Sequence, residues 1–565
     1  ISVARNTMNT QQKNIDTHVL NEIRKQERQL VEEATMVSRE LMRVAISPHE
    51  LWRAGLDLAL AQYVNKDGNM SHSSSVLHMV RTLTHMHEAM EEHDNTNTNT
   101  TLSSAGAAAT VGISNNSNTM SASSSRPGGK RATSEDADDG FAESSGNIGS
   151  VTLRDISFRH SYGRQLAEAK DLLLRFAKTG LTVLLHQLWN IYQEIIRRMD
   201  KSLAQQKKMQ LHHVSRELTN SRDLRLAVPG TYKPGEEVVS ISTFVNTLSV
   251  ISSKQRPRRM GMIGSDGQTY EFLLKGKEDL RQDERVMQLF GLINACLESS
   301  RDTNRQGLKI VQYSVLPLSN NSGVIGWLRN CDTFNALLSQ YRAECNVPYQ
   351  LEIKLLHAKL GSSMHAQKRY DSLPDIAKVE VFRSILEQTE GADLEKMLWR
   401  RSRTADAWVG RRDSFTCSLA VMSIVGYILG LGDRHMANIM LDRVTGRVIH
   451  IDFGDCFEVL KFRSMYPETI PFRLTRMLTK AMGTSGMAGT FKYTSYRVMR
   501  VLREHRDSVM AMLEAFVYDP LISWRLLHTG KDAKKIKRGP EAKRDQDKVE
   551  KEKEKEKEKD RVGAE

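Results

Sequence analysis

Hydrophobic spacing changes character twice along this chain, and the order of the changes limits the folds open to it. Up to about residue 205 the apolar residues recur at helical intervals. From about Val238 they fall into short runs with strand spacing, and after Leu328 helical spacing returns. The expected fold class is α+β: a helical N-terminal part, then a small β-rich lobe carrying one helix, then a larger helical lobe. In the first part, residues 1 to about 45 read as one long amphipathic helix through Val31, Ala34, Val37, Leu41 and Ala45. A second helix starts at Ser47-Pro48-His49-Glu50, where Ser47 can cap and Pro48 can take the first helical position. It carries Leu51, Trp52, Leu56, Leu58, Ala59 and Tyr63. Helical spacing over 77–90, then from Arg154 through 167–176, and again over 181–199, completes a four-helix unit. Its second and third helices are separated by residues 94–150, a tract of Asn, Thr, Ser, Ala and Gly. Such a tract cannot bury enough surface to offset its ordering entropy and is expected to be a disordered insertion.

In the β-rich part the strand-like runs are 238–241, 260–263 and 270–274, with Ser265-Asp266-Gly267 as a hairpin turn between the last two. A helix is expected over 284–297, then strands over 309–316 and 324–327 around the polar turn 319–322. In the helical lobe one strand pair stands out, 439–441 with 448–451 around Thr445-Gly446. From Lys531 onward the chain is Lys, Glu, Arg and Asp without an apolar face, a solvated tail.

At 565 residues the chain suits two to four domains. Its first residue is Ile1 rather than Met, the mark of a piece cut from something longer. A net charge of +13 fits an anionic ligand such as a nucleotide, a nucleic acid or an acidic membrane surface, without choosing among them. The five cysteines (Cys296, Cys331, Cys345, Cys417, Cys456) show no C-x-x-C pairing, which predicts a reduced, intracellular protein without a zinc site. The most apolar stretch, 418–431, is shorter than the roughly 18 residues of a membrane span.

The chemistry concentrates in Gly432-Asp433-Arg434-His435-Met436-Ala437-Asn438 and His450-Ile451-Asp452-Phe453-Gly454. Phosphoryl transfer from ATP needs a carboxylate to orient the attacking hydroxyl, oxygen ligands for magnesium, and a cation facing the β- and γ-phosphates. Protein kinases place the base and an asparagine ligand five positions apart and the second metal ligand in Asp-Phe-Gly. Asp433 and Asn438 stand at that spacing, and Asp452-Phe453-Gly454 follows after a hairpin. Each signal alone is weak, but order, spacing and strand–turn–strand context agree.

The loop reads Asp-Arg-His rather than His-Arg-Asp, and in this it resembles the phosphoinositide-kinase and related-kinase superfamily. The resemblance implies Asp433 as catalytic base, His435 as a γ-phosphate neighbour that stabilises developing charge, and Asn438 and Asp452 as magnesium ligands. It also implies Lys275, ending the strand 270–274 in a run 273–285 that is nearly a superfamily signature, as the phosphate-binding catalytic lysine. Glu278 and Asp283 are then the acids that pair it. No G-x-G-x-x-G precedes Lys275; residues 251–258 look like the family's phosphate loop, with Ser253 nearest the nucleotide. Trp327 and Leu328 would form the adenine hinge, and Ile251, Leu273, Tyr313, Met440 and Ile451 would line the pocket. ATP and Mg2+, with Mn2+ as an alternative ion, are the implied cofactors.

The segment after Asp452-Phe453-Gly454 carries only Lys461 and Arg463 as early basic residues, where lipid kinases of the superfamily tend to cluster lysine and arginine. The run Ile470-Pro471-Phe472-Arg473-Leu474-Thr475-Arg476, with 286–291, 426–432 and 507–516, is similar to the target-of-rapamycin branch. The implied activity is that of a non-specific serine/threonine protein kinase in growth and nutrient signalling; a weak scaffold and a phosphoinositide kinase are the alternatives. On this likeness 1–46 ends a helical-repeat region and 47–205 is a rapamycin-binding-type four-helix domain. Residues 206–527 form a two-lobed PI3K/PI4K-like kinase domain with its small lobe to about 326, and 528–565 are a charged tail. The macrolide pocket would use Leu56, Leu60, Tyr63, Trp189 and Ile196. Leu60 stands where sensitive relatives carry a small hydroxyl residue and Ile196 where they carry an aromatic one, so weak or absent rapamycin sensitivity is expected. The family also ends in an aromatic- and cysteine-containing helical module, and this chain has charged repeats there instead. The partners implied are protein substrates, a WD-repeat protein on the large lobe and large regulatory subunits. Immunophilin–rapamycin is disfavoured, nucleic acid is not expected, and peripheral membrane association is allowed. Residence would be cytoplasmic, extending to endomembrane surfaces or the nucleus.

Overall fold

The computed structural model describes residues 2–63, 76–91, 152–360, 373–462 and 467–518, with the side chains of 2–23 and of Phe462 left aside. The expected insertion over 94–150, the charged tail and Arg463 lie outside these residues. Two compact units result. One comprises Ile1–Val228, Val239–Tyr270 and Leu274–Lys277, and the other Pro229–Val238, Glu271–Leu273 and Glu278–Glu565. The sequence boundary at 206 falls inside the first of them.

The first unit opens with α1 (Ser2–Ala45), whose last turns bury Val37, Leu41, Val44 and Ala45, while Val31 stays exposed. Helices α2 (Pro48–Tyr63), α3 (76–91), α4 (Leu153–Thr179) and α5 (Thr182–Gln205) follow. Their shared core contains Trp52, Leu56, Met79, Leu83, Tyr162 and Tyr192. The start of α2 is a full capping box: the Glu50 N–H donates to Ser47 Oγ at 3.2 Å and the Ser47 N–H to Glu50 Oε2 at 3.0 Å. The α4 start repeats the device with Thr152 and Asp155, and Gly180 ends α4 in the left-handed conformation.

After these helices come β1 (Lys208–Gln210), the short α6 (Arg216–Asn220), β2 (Ile241–Phe244), β3 (Thr247–Val250), β4 (Arg258–Gly264) and β5 (Thr269–Gly276). They lie in the order β1–β3–β4–β5, with β2 also paired to β4. The expected turn closes the β4–β5 hairpin: Gly267 takes φ +73° and Asp266 Oδ1 accepts the Gln268 N–H at 3.0 Å. The run expected over 238–241 becomes a strand only at Ile241, preceded by a single bridge from Ser240 to Ala227. β1 and β3 escape the sequence because three or four residues are too few to show a period.

In the second unit, α7 (Arg281–Ser299) covers the expected 284–297, and β6 (Val315–Ser319) pairs with β7 (Ser322–Gly326). The stretch before β6 is not strand, contrary to expectation over 309–316. Asn294 explains why, because its amide bonds both the Ile310 N–H (2.8 Å) and the Ile310 carbonyl (2.9 Å), filling the place of a partner strand. β8 (Cys331–Thr333), again too short to foresee, joins β9 (Ile439–Asp442) and β10 (Val448–His450) in the order β10–β9–β8. The β9–β10 turn has Gly446 at φ +75° and Asp442 Oδ1 accepting the Val444 N–H at 2.8 Å. The 25-residue helix Ala405–Leu429 runs through the lobe and ends on Gly430 at φ +60°. It delivers the chain to Gly432 and the loop beyond.

Candidate active site

Asp433 sits at the exit of the long helix with φ +56°, and Asp452 follows β10 with φ +62°. Both are left-handed positions that a non-glycine residue holds only when its surroundings over-determine it. Here they do. The Asp433 N–H donates to Glu468 Oε2 at 2.9 Å, and the Asp433 carbonyl accepts from Asn438 Nδ2 at 3.0 Å. The same Nδ2 lies 3.4 Å from Asp433 Oδ2, so the Asn438 amide is aimed with its nitrogen at the Asp433 carboxylate and its oxygen away. The Ile451 N–H closes on the Asn438 carbonyl at 3.1 Å.

Arg434 lies beneath the loop, 5% exposed. It donates to the carbonyls of Gly432 (2.8 Å), Ile451 (2.9 Å) and Asp452. One guanidinium thus fixes the spacing between the stretches that carry Asp433 and Asp452, a task its rigid fork suits better than an ammonium. Burial lowers its pKa, opposed first by the Asp452 charge.

The aromatic residue of Asp452-Phe453-Gly454 is fully buried, edge-on to Phe290 with centroids 5.2 Å apart. Both its main-chain groups are taken by the first turn of α7: its N–H donates to Asp283 Oδ1 at 3.2 Å, and its carbonyl accepts from Gln282 Nε2 at 2.8 Å. Asp283, expected as an acid for Lys275, is seen to anchor this loop. The Tyr313 hydroxyl meets the Asp452 main chain; burial, then the charges of Asp283 and Asp452, raise its pKa well above the ordinary phenol value.

His435 is exposed, its Nε2 3.9 Å from Asp433 Oδ2. Its Nδ1 accepts the Ala437 N–H at 3.2 Å, which puts the proton of the neutral ring on Nε2, the side able to donate to an anionic oxygen. Deeper in, His450 is buried with neither ring nitrogen bonded to a described group, and burial, then Arg434, push it down to about 3.

The second unit thus brings together Asp433, His435, Asn438, Asp452, Asp283 and Tyr313. It also holds half-buried Leu273, Trp327, Leu328, Met440 and Ile451. The Trp327 N–H is taken by the Glu271 carbonyl at 2.9 Å, and the Glu278 N–H by the Asn321 carbonyl at 3.0 Å. Ile251, Ser253 and Lys275 belong to the first unit. There Ser253 is exposed at the tip of a loop closed by the Ile251 N–H on the Pro257 carbonyl at 3.0 Å. In the four-helix unit Tyr63 stacks on Trp189 with centroids 5.9 Å apart, Leu56 is fully buried and Leu60 is 38% exposed. Sequence reasoning gave no role to Arg434, Gln282 or Glu468. The first two lie inside quoted motifs, while nothing in the sequence singles out Glu468.

An asparagine oxygen and an aspartate carboxylate are hard donors that suit Mg2+. The fixed Asn438 amide and the clamped Asp452 backbone fit that ion.

Comparison with known proteins agrees with the geometry. Residues 269–526 match the phosphatidylinositol 3- and 4-kinase family, and residues 40–106 and 143–201 match the FKBP12-rapamycin binding domain. The serine/threonine-protein kinase TOR of Oryza sativa subsp. japonica is 44% identical over 510 residues, 90% of this chain and 18% of that protein. Over about nine-tenths of its length the chain is thus similar to target-of-rapamycin kinases, and it carries a phosphatidylinositol 3- and 4-kinase domain and an FKBP12-rapamycin binding domain. Other relatives include serine/threonine-protein kinase mTor of Drosophila melanogaster, 41% identical over 94% of this chain and 19% of that protein. Serine/threonine-protein kinase TOR2 of Saccharomyces cerevisiae is 42% identical over 88% of this chain and 17% of that protein. The chain spans about a fifth of the length of these family members.

Proposed function

We propose that this chain carries the phosphotransferase centre of a target-of-rapamycin-type kinase and transfers the γ-phosphoryl group of ATP to serine or threonine hydroxyls of proteins. The observation that carries the reading is the single frame in which Asn438 is bonded to Asp433 while Arg434 ties that loop to Asp452. In the proposed mechanism Asp433 accepts a hydrogen bond from the substrate hydroxyl and orients its oxygen for in-line attack. Asn438 and Asp452 hold magnesium, which when bound screens the phosphate charge. His435, with its proton on Nε2, stabilises the γ-phosphoryl oxygens, and Lys275 holds phosphate. Because the Trp327 N–H is already engaged by Glu271, Leu328 is left to supply the main-chain contact to adenine.

Protein rather than lipid as substrate is supported by the segment after Gly454. Lys461 lies 3.4 Å from Glu458, Glu468 is bonded to the Asp433 N–H, and burial lowers the pKa of Arg473. A phosphorylated inositol ring would meet carboxylates as readily as cations. For partners, the helix Asp375–Gln388 exposes Ile376, Val379 and Phe382 at helical spacing, a stripe suited to the family's WD-repeat protein. Cytoplasmic, endomembrane-associated or nuclear residence follows from the family likeness alone. The exposed Leu60 beside the Tyr63–Trp189 stack supports weak rapamycin sensitivity, and a submicromolar complex of the chain with immunophilin–rapamycin would overturn that.

The test incubates wild type and Asp452→Ala with radiolabelled ATP, Mg2+, a protein substrate and phosphoinositide vesicles. Label in protein that falls by at least about a thousandfold in the variant is expected. Label in lipid, or protein label that survives in Asp452→Ala, refutes the reading.

A further inference from the structure

Glu50 belongs to the four-helix unit, yet most of its polar contacts lie outside it. Its carboxylate accepts from Arg256 Nε at 3.0 Å and from Arg258, residues that close the loop between β3 and β4. Its main-chain carbonyl accepts from Lys277 Nζ at 2.7 Å, two residues after Lys275. Arg256 reaches further still, donating to the Gln206 carbonyl just beyond α5 at 3.2 Å. The loop is therefore tied to the first turn of the unit's first helix and to the end of its last. Beside this, β5 ends against the same corner. A Cβ placed on Gly276 would lie 2.6 Å from Ile46 Cγ1 and 2.7 Å from the Ala45 carbonyl oxygen, so only glycine allows the approach. Glu50 is 5% exposed and Arg258 1%. A carboxylate and guanidinium buried this far hold their geometry far more firmly than a surface pair. Arg256 itself takes φ +49°, a strained conformation that its two side-chain partners help to hold.

We propose that Glu50 and Arg256 are positioning residues for nucleotide binding, pinning the loop 251–258 and the end of the lysine-bearing strand to the four-helix unit. The proposal rests on the reading of that loop and of Lys275 as phosphate-binding parts. The capping helix start is rigid, so a loop fixed to it is pre-organised and loses little freedom when phosphates arrive. Without the pin, Ser252 to Gln255, all exposed, are free to leave the bound conformation. Nucleotide affinity then falls while the fold persists.

The experiment measures binding of a non-hydrolysable ATP analogue with Mg2+ to the whole chain by calorimetry, with the melting temperature read in parallel. Arg256→Asn is chosen because asparagine tolerates a positive φ and because Glu50 keeps Arg258 as its partner. It is expected to weaken binding about tenfold with the melting temperature nearly unchanged, while Arg256→Lys, which can still reach Glu50, recovers about half of the loss on a logarithmic scale. Arg53→Ala, which removes the exposed 2.8 Å link from α2 to Asp200, is the control and leaves binding at the wild-type value. Wild-type affinity in Arg256→Asn, or an equal loss in Arg53→Ala, overturns the pin. Lys275→Met separates the two readings. If wild type binds the analogue and Lys275→Met weakens it, failure of Arg256→Asn to do so sinks the pin alone. If wild type does not bind, or Lys275→Met binds equally well, the kinase reading falls and the pin falls with it.

Discussion

The loop that carries Asp433 is held by an arginine whose hydrogen bonds, among the described residues, all go to carbonyl oxygens, whereas the loop 251–258 is held by arginines that meet a carboxylate. Both arrangements bury guanidinium groups, but they solve the cost of burial differently. Arg434 spreads its charge over three neutral acceptors and over the face of Phe453, 5.5 Å from the ring centroid. The result is a template for backbone shape. Glu50 concentrates countercharge on Arg256 and Arg258; burial pushes its carboxyl up, but Arg258 and the other donors outweigh this and hold it below the ordinary value. That result is a joint between separate segments. A template should tolerate little change in shape, and a joint should not survive the loss of the carboxylate that its two arginines share.

The largest effect is expected where the shared carboxylate is removed from the joint. Glu50→Ala leaves Arg258 buried and unpaired, beside an Arg154 that burial and Arg258 already push down to about 10. Breaking one partner of a buried pair costs about 3–5 kcal/mol. Urea unfolding of the full chain should show that loss, and a loss below about 1 kcal/mol would mean that the joint is as weak as a surface pair.

The template should fail on shape with charge kept. Arg434→Lys preserves the cation but cannot reach the Gly432, Ile451 and Asp452 carbonyls together. About 2–3 kcal/mol of stability should go with the lost charge-assisted bonds. Phosphotransfer should fall at least about tenfold, because Asp433 and Asp452 are no longer held at one spacing. Normal activity in Arg434→Lys would erase the distinction between template and joint.

These two loops also show what the sequence could and could not say. Asp433, Asn438 and Asp452 are legible as one cluster because their placement depends on short-range order and spacing, which a hairpin preserves. Gly446 was legible as a turn for the same reason. The capping role of Ser47 was readable from four residues, but Glu50's second role was not, because its partners stand more than 200 positions away. Likewise the stretch before β6 has strand spacing, yet its Ile310 main chain is taken by the Asn294 side chain and its Gln312 side chain bonds the Met287 carbonyl. Arg434 sat in plain view within the motif, yet a buried arginine serving carbonyls has no periodic signature.

The smallest effect sharpens the comparison by adding a buried group that carries no charge at all. His87 on α3 is 1% exposed, and its Nε2 lies 2.9 Å from the Tyr192 hydroxyl on α5. Burial first, then Lys170, lower its pKa to about 4, with Glu91 opposing. A depressed histidine pKa means that below about 6.5 the unfolded chain binds a proton that the folded chain refuses, so stability falls as pH falls from about 6.5 towards about 4. Between pH 7 and pH 6 the loss from this one residue is about 0.7 kcal/mol. His87→Gln keeps a hydrogen-bonding partner for Tyr192 and removes the titration. Its unfolding free energy, followed from pH 7 to pH 5, should decline less than that of wild type, and parallel curves would show that His87 takes up its proton without unfolding the four helices.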